Sequence, residues 1–92
     1  MRCVYICSAI RGNIPENTSK LHAYAEYVVR NGKAPVLPFL RGKDCNPLIF
    51  ASDEVWVFGD YLNDEMIREI NLAKSINLKV KYIKDSEVFK VE

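Results

Sequence analysis

Two short groups of residues have the types and spacing that chemistry would need. Ser8, Arg11 and Gly12 lie together in the loop after an apolar N-terminal run. A hydroxyl, a guanidinium and free backbone N–H groups at the start of a helix suit a phosphate or a carboxylate. Read more plainly, the same residues form a polar strand-to-helix loop with Asn13 as its cap. Glu69 is the second candidate. A carboxylate on the helix that follows a buried strand can serve as a nucleophile or a general base. It can equally be a solvent-facing side chain paired with Arg68 or Lys74. Asp53 and Asp60 flank the apolar run Val55–Phe58 and read either as site residues or as turn formers. Asp64 and Glu65 make the first turn of the later helix acidic. That favours the helix through its dipole and disfavours an anion there, so any phosphate is expected at the first loop. Tyr61 could stack on a base, and His22 reads as a surface helix residue.

The elements that must position these groups follow from periodicity. Val55-Trp56-Val57-Phe58, closed by Gly59, predicts a strand buried on both faces. Arg2 to Cys7 predicts a first strand of the same kind. Asn13 and Glu16, with Pro15 between them, predict a helix start. Leu21, Tyr24, Ala25 and Val28 give that helix one buried stripe to about Arg30, where Asn31-Gly32 stops it. Ala34 to Leu37 is a short strand whose prolines, Pro35 and Pro38, confine it to an edge. Pro47 to Ala51 has room for one or two helical turns. A long helix is expected from about Asp64 to Ile76, burying Met66, Ile67, Ile70 and Ala73. Lys79 to Ile83 is a fourth strand and Asp85-Ser86 a turn; Val88, Phe89 and Val91 add a fifth strand or dock on a partner. This alternation predicts an α/β, flavodoxin-like three-layer sandwich with a parallel sheet in the order 2-1-3-4. The loops after strands one and three then meet at the switch point, where ligands bind in such sheets. Gly59 and Asp60 would lie there.

Length and composition narrow the classes. A chain of 92 residues with 49% hydrophobic residues is a single domain, residues 1–92, with a real core. A formal net charge of +1, spread along the chain, gives no footprint for a nucleic-acid polymer or an anionic membrane. No apolar run approaches the roughly 20 residues that span a bilayer. The N-terminus reads as a strand rather than a signal peptide, so a cytoplasmic protein is expected. Cys3 and Cys7, about 13 Å apart in an extended strand, cannot bridge, and no CxxC spacing accompanies Cys45. Neither a metal nor a cofactor is expected.

Val4-Tyr5-Ile6-Cys7-Ser8-Ala9-Ile10-Arg11-Gly12 resembles the opening of the nucleoside 2-deoxyribosyltransferase-like superfamily, particularly a small phage and bacterial branch with a YICSPYRG-type stretch. The SIRG opening of deoxynucleoside-monophosphate glycosidases is comparable. Asp53-Glu54-Val55-Trp56-Val57-Phe58-Gly59, followed by Met66, Glu69-Ile70 and Ala73, is similar to that branch's D-E-L-W-V-F-G … S-x-G-M-x-x-E-I-x-x-A pattern. The resemblance implies a nucleoside or nucleotide ligand. It implies Glu69 as the nucleophile at the anomeric carbon, with Ser8, Ile10, Arg11, Gly12, Asp53, Gly59, Asp60 and Met66 around the substrate. It also implies oligomers that complete the site with a neighbour's residues. Glu65 stands where the pattern has glycine, and Asn77 and Lys79 stand where it has glycine and proline. The segment from Arg41 to Ala51 is shorter than the helix-bearing segment of relatives. Two function classes therefore stay open: an N-glycosidase or deoxyribosyltransferase, and a non-catalytic module of the same fold that binds a nucleotide-derived signal or a protein. A homodimer or higher homo-oligomer is expected, with Leu48, Ile49 and Phe50, or Val88, Phe89 and Val91, as the bare patch.

Overall fold

The computed structural model describes residues 2–9, 15–37 and 46–89. The elements are β1 (Cys3–Cys7), α1 (Pro15–Arg30), β2 (Ala34–Val36), α2 (Asn46–Phe50), β3 (Glu54–Phe58), α3 (Asp64–Ser75), β4 (Lys79–Ile83) and α4 (Asp85–Val88). The four strands form one parallel sheet in the order β2-β1-β3-β4. Helices cover both faces, so the chain is a flavodoxin-like α/β sandwich, as the alternation of elements predicts.

Alternation along each strand sorts side chains between two cores. Val4 and Ile6 of β1 face the same way as Trp56 and Phe58 of β3 and Ile83 of β4, and Leu21, Tyr24 and Val28 of α1 close over them. Tyr5, Cys7, Val55 and Val57 face the other way, under Ile49 of α2 and Met66, Ile70 and Ala73 of α3. Because β3 is central, all five of its residues are buried. Each large apolar side chain so buried contributes about 1.5–3 kcal/mol.

Element ends follow local chemistry. Gly32 takes a φ of +77° after α1, and its N–H donates to the Val29 carbonyl at 2.9 Å. Asn77, at φ +62°, does the same left-handed work after α3, where the resembled pattern has glycine. Asn63 caps α3 by accepting the Met66 N–H at 2.9 Å.

Several expectations change. Asp85-Ser86 is no simple turn: it begins α4, whose Glu87 carboxylate accepts the Lys84 N–H at 2.8 Å. Val88 packs on the α1 core rather than adding a fifth strand; Val91 lies outside the described residues. Ile67 is 43% exposed, because the buried stripe of α3 runs through Met66, Glu69, Ile70 and Ala73. Of the expected α2 patch, Ile49 is core and Leu48 packs on it, which leaves Phe50 exposed.

Candidate functional site

Glu69 lies about one and a half turns into α3 and is only 1% exposed. Its spacing of three from Met66 and four from Ala73 places it in the core-facing stripe, among apolar side chains. Burying an ionised carboxylate costs several kcal/mol unless it is hydrogen-bonded. Tyr5, in the middle of β1, donates its phenol O–H to Glu69 Oε2 at 2.9 Å. The sheet fixes this pairing. Tyr5 is held by β2 on one side and β3 on the other, through its register partners Val36 and Val55, and its ring rises on the α3 face. The donor and acceptor are 64 residues apart in sequence, so the tertiary fold alone brings them together.

Next to this pair, Cys7 is two residues on along the same face of β1, and its thiol lies 3.9 Å from the Met66 carbonyl. Met66 itself is fully buried. Ser8, the residue after β1, is buried as well. Tyr5, Cys7, Met66 and Glu69 thus share the layer between β1 and α3, and Ser8 stands at the carboxyl end of β1. The other first-loop candidates, Ile10, Arg11 and Gly12, lie outside the described residues.

Gly59 and Asp60 end β3 at the same carboxyl edge. Gly59 takes a φ of +109°, which favours glycine there, and its N–H donates to the Ile83 carbonyl at 3.2 Å. Asp60 turns away from Glu69 towards α4 and accepts the Asp85 N–H at 3.3 Å. Asp53 is not brought to the site. It precedes β3, at the opposite end of the sheet, where its carboxylate accepts the Cys3 N–H at 2.7 Å and its own N–H donates to the Cys3 carbonyl at 2.8 Å. It pins the start of β1 to the start of β3.

Two other polar groups shape the same sheet. Tyr24 stacks on Phe58 at 4.6 Å and donates its O–H to Asp85 at 2.8 Å, with Lys20 at 3.4 Å from the same carboxylate. Burial, then the carboxylates of Asp85 and Asp60, push the Tyr24 phenol well above its ordinary pKa of 10.0. At the far end, burial alone would raise the Glu54 carboxyl. The Trp56 indole N–H at 3.0 Å, the Lys33 ammonium at 3.3 Å and the charge of Lys79 outweigh that and hold it below its ordinary value of 4.5. Both clusters are structural ties.

Among the described residues no group of three or more His, Cys, Asp or Glu side chains is placed to hold a metal ion. Among the described residues, two hollows open at the carboxyl edge. A cleft of about 550 Å³ lies between the β3–α3 and β4–α4 connections. A smaller hollow of about 120 Å³, lined by Ala9, Lys20, Tyr24, Gly59 and Asp85 among others, adjoins it. Neither includes Glu69 in its wall.

Sequence reasoning missed Tyr5, which reads as core material. The available signal was a phenol in the centre of a doubly buried strand, since a buried tyrosine O–H needs a partner. It missed Asp85 too, which a turn reading hides.

Residues 2–45 match a family described as a domain of unknown function (DUF7768). The match contains Tyr5, Ser8, Arg11 and Gly12 and ends before Glu69. Comparison with curated proteins and with solved structures gives no match.

Proposed function

We propose that the chain binds a nucleoside or nucleotide beside Glu69 and cleaves or transfers at its N-glycosidic bond. The observation that carries this reading is the Tyr5–Glu69 pair. A carboxylate in an otherwise apolar stripe, oriented by a phenol from a central strand, is a costly arrangement for packing and a useful one for chemistry. In the reaction, a Glu69 oxygen attacks the anomeric carbon. The base leaves with the bonding pair and takes up a proton. Water or a second base then displaces the carboxylate from the glycosyl ester. Tyr5 acts as a positioning residue for Glu69. Ser8, Arg11 and Gly12 serve the sugar or its 5′-phosphate, Gly59 and Met66 shape the surroundings, and no cofactor takes part. The resemblance to the nucleoside 2-deoxyribosyltransferase-like superfamily supports the same reading through Glu69 and the first loop. A cytoplasmic location is part of this proposal, as is a homo-oligomer whose neighbour completes the site.

One observation favours the second class. A nucleophile must touch its substrate, and Glu69 is 1% exposed. On that reading the Tyr5–Glu69 pair holds β1 to α3 in a non-catalytic module that binds a nucleotide-derived signal or a protein. Incubation with a panel of nucleosides and deoxynucleoside monophosphates, followed by chromatography for free base, separates the two. The enzyme reading expects base release that disappears in Glu69→Ala. Ligand binding with no release by the wild type would establish the module instead.

A further inference from the structure

The cleft at the carboxyl ends of β3 and β4 is a different place from Glu69. Tyr82 pairs in register with Val57, so its ring stands on the α3 face of the edge strand. Glu69 reaches in the other direction, to Tyr5 on β1. Gly59, Asp60, Tyr61, Leu62, Tyr82 and Lys84 line the cleft. Tyr61 is 74% exposed and Tyr82 55%, and Leu62 is exposed beside them. Three large apolar side chains gathered in one cleft are more than scattered surface residues, and such a cluster marks a contact surface.

The walls are held without any occupant. The Gly59 N–H on the Ile83 carbonyl ties one loop to the end of β4. The Asp85 N–H on Asp60 Oδ1 ties it to α4, and Tyr24 and Lys20 tie Asp85 to α1. Asp60 Oδ2 is left to accept a hydrogen bond. Among the described residues neither phenol has a ring partner, and Lys84 has no carboxylate at ion-pair distance.

The chemistry points to one class of ligand. Exposed tyrosine rings favour a flat aromatic ring. A carboxylate oxygen accepts from N–H donors on such a ring's edge. A lysine supplies a point charge for an anion. A volume of about 550 Å³ is that of an ordinary ligand pocket. We propose that this cleft is a second binding site, separate from Glu69, for a nucleobase monophosphate whose base offers N–H donors to Asp60. Guanine, with two such donors side by side, is the best match.

The test is an amide-resolved NMR titration of the ¹⁵N-labelled chain with guanosine 5′-monophosphate. Parallel arms use guanosine, inosine 5′-monophosphate and inorganic phosphate. The expected shifts fall on residues 59–62 and 82–86. Tyr82→Ala and Asp60→Asn should each weaken binding at least tenfold. Lys84→Ala should weaken the monophosphate and spare guanosine. Inosine monophosphate, lacking one donor, should bind more weakly, and Glu69→Gln should leave ligand affinity at the cleft unchanged. Absence of shifts at the cleft would overturn the proposal. So would equal shifts with phosphate alone, or shifts centred on Tyr5 and Glu69 that vanish in Glu69→Gln. Shifts at the cleft that depend on protein concentration without ligand would assign it to a second copy of the chain, which also overturns it. The glycosidic reading stands or falls separately, by base release.

Discussion

Replacing Tyr5 and Glu69 singly and together tests why the pair exists. Tyr5→Phe keeps the ring and removes the 2.9 Å hydrogen bond to Glu69 Oε2. A hydrogen bond to a charged group contributes about 1.5–3 kcal/mol. The total stability of a domain this size is about 5–14 kcal/mol, so the single change is a large fraction of it. In thermal terms it lowers the melting midpoint by roughly 6–24 °C. Glu69→Leu should cost less, because leucine suits the stripe of Met66, Ile70 and Ala73, although the Tyr5 hydroxyl loses its bond to Oε2. The double variant, Tyr5→Phe with Glu69→Leu, removes both partners of this hydrogen bond and leaves similar shapes. It should be about as stable as the wild type or more so. Urea unfolding of all four proteins gives the coupling energy directly. A large coupling with a neutral double variant means that the pair is not retained for stability, which is the pattern expected of functional groups. A double variant less stable than either single one would refute this reasoning and leave the pair as a structural tie. If Tyr5 orients Glu69, Tyr5→Phe should also lower kcat for base release while leaving KM nearly unchanged.

The Glu54 carboxyl is held below its ordinary value of 4.5, so its contribution is present above that value and is lost as pH falls through the folded one. Glu54→Gln should therefore flatten the decline of stability between about pH 5 and 3, read as urea midpoints; parallel pH curves for variant and wild type would contradict it. Arg11→Ala should weaken a nucleoside monophosphate at the Glu69 site about ten- to a hundredfold more than the matching nucleoside, measured by calorimetry; equal losses would mean that the first loop does not read phosphate. Phe50 is 58% exposed at the end of α2, so Phe50→Asp should convert a dimer to a monomer in light scattering at micromolar concentration. Phe89 lies 6.0 Å from the Tyr24 ring, so Phe89→Asp should lower the melting midpoint without changing the mass. A wild type that already runs as a monomer would end the oligomer reading.

The fold was legible because each element carries its own period. The doubly buried β3 is continuous in apolar character after Glu54, α1 shows a stripe at three and four, and Gly32 marks its stop where the backbone turns left-handed. Four parallel strands with short connections then leave little choice of topology. The site was less legible, because its central contact is not local. Glu69 as a candidate could be named, but its burial could not, since Ile67 offers a more apolar stripe by residue type alone. The helix turns Glu69 inward because the alternative would expose the face holding Ile70 and Ala73, and Tyr5 makes that rotation tolerable. Asp53 misled for the opposite reason. Its position before a central strand suits a site by motif, yet strand direction places it at the amino end, where its work is to bridge Cys3.

The electrostatics of α3 limit where an anion can sit. In an open parallel sheet the amino end of the helix after a central strand is a natural anion site. Here Asn63 caps that end, and Asp64 and Glu65 stand exposed in its first turn. Their charge opposes any phosphate approaching along the α3 axis. On the two proposals made here, anion recognition falls instead to cationic side chains on other elements: Arg11 of the first loop for the Glu69 site and Lys84 after β4 for the second cleft. On the glycosidic reading, the same arrangement would keep a ligand's phosphate away from Glu69. A nucleophilic carboxylate needs that separation, because a second negative charge close to it would favour its protonated, unreactive form. On the glycosidic reading proposed above, the acidic first turn would then hold a phosphate and the Glu69 nucleophile on different sides of the sugar.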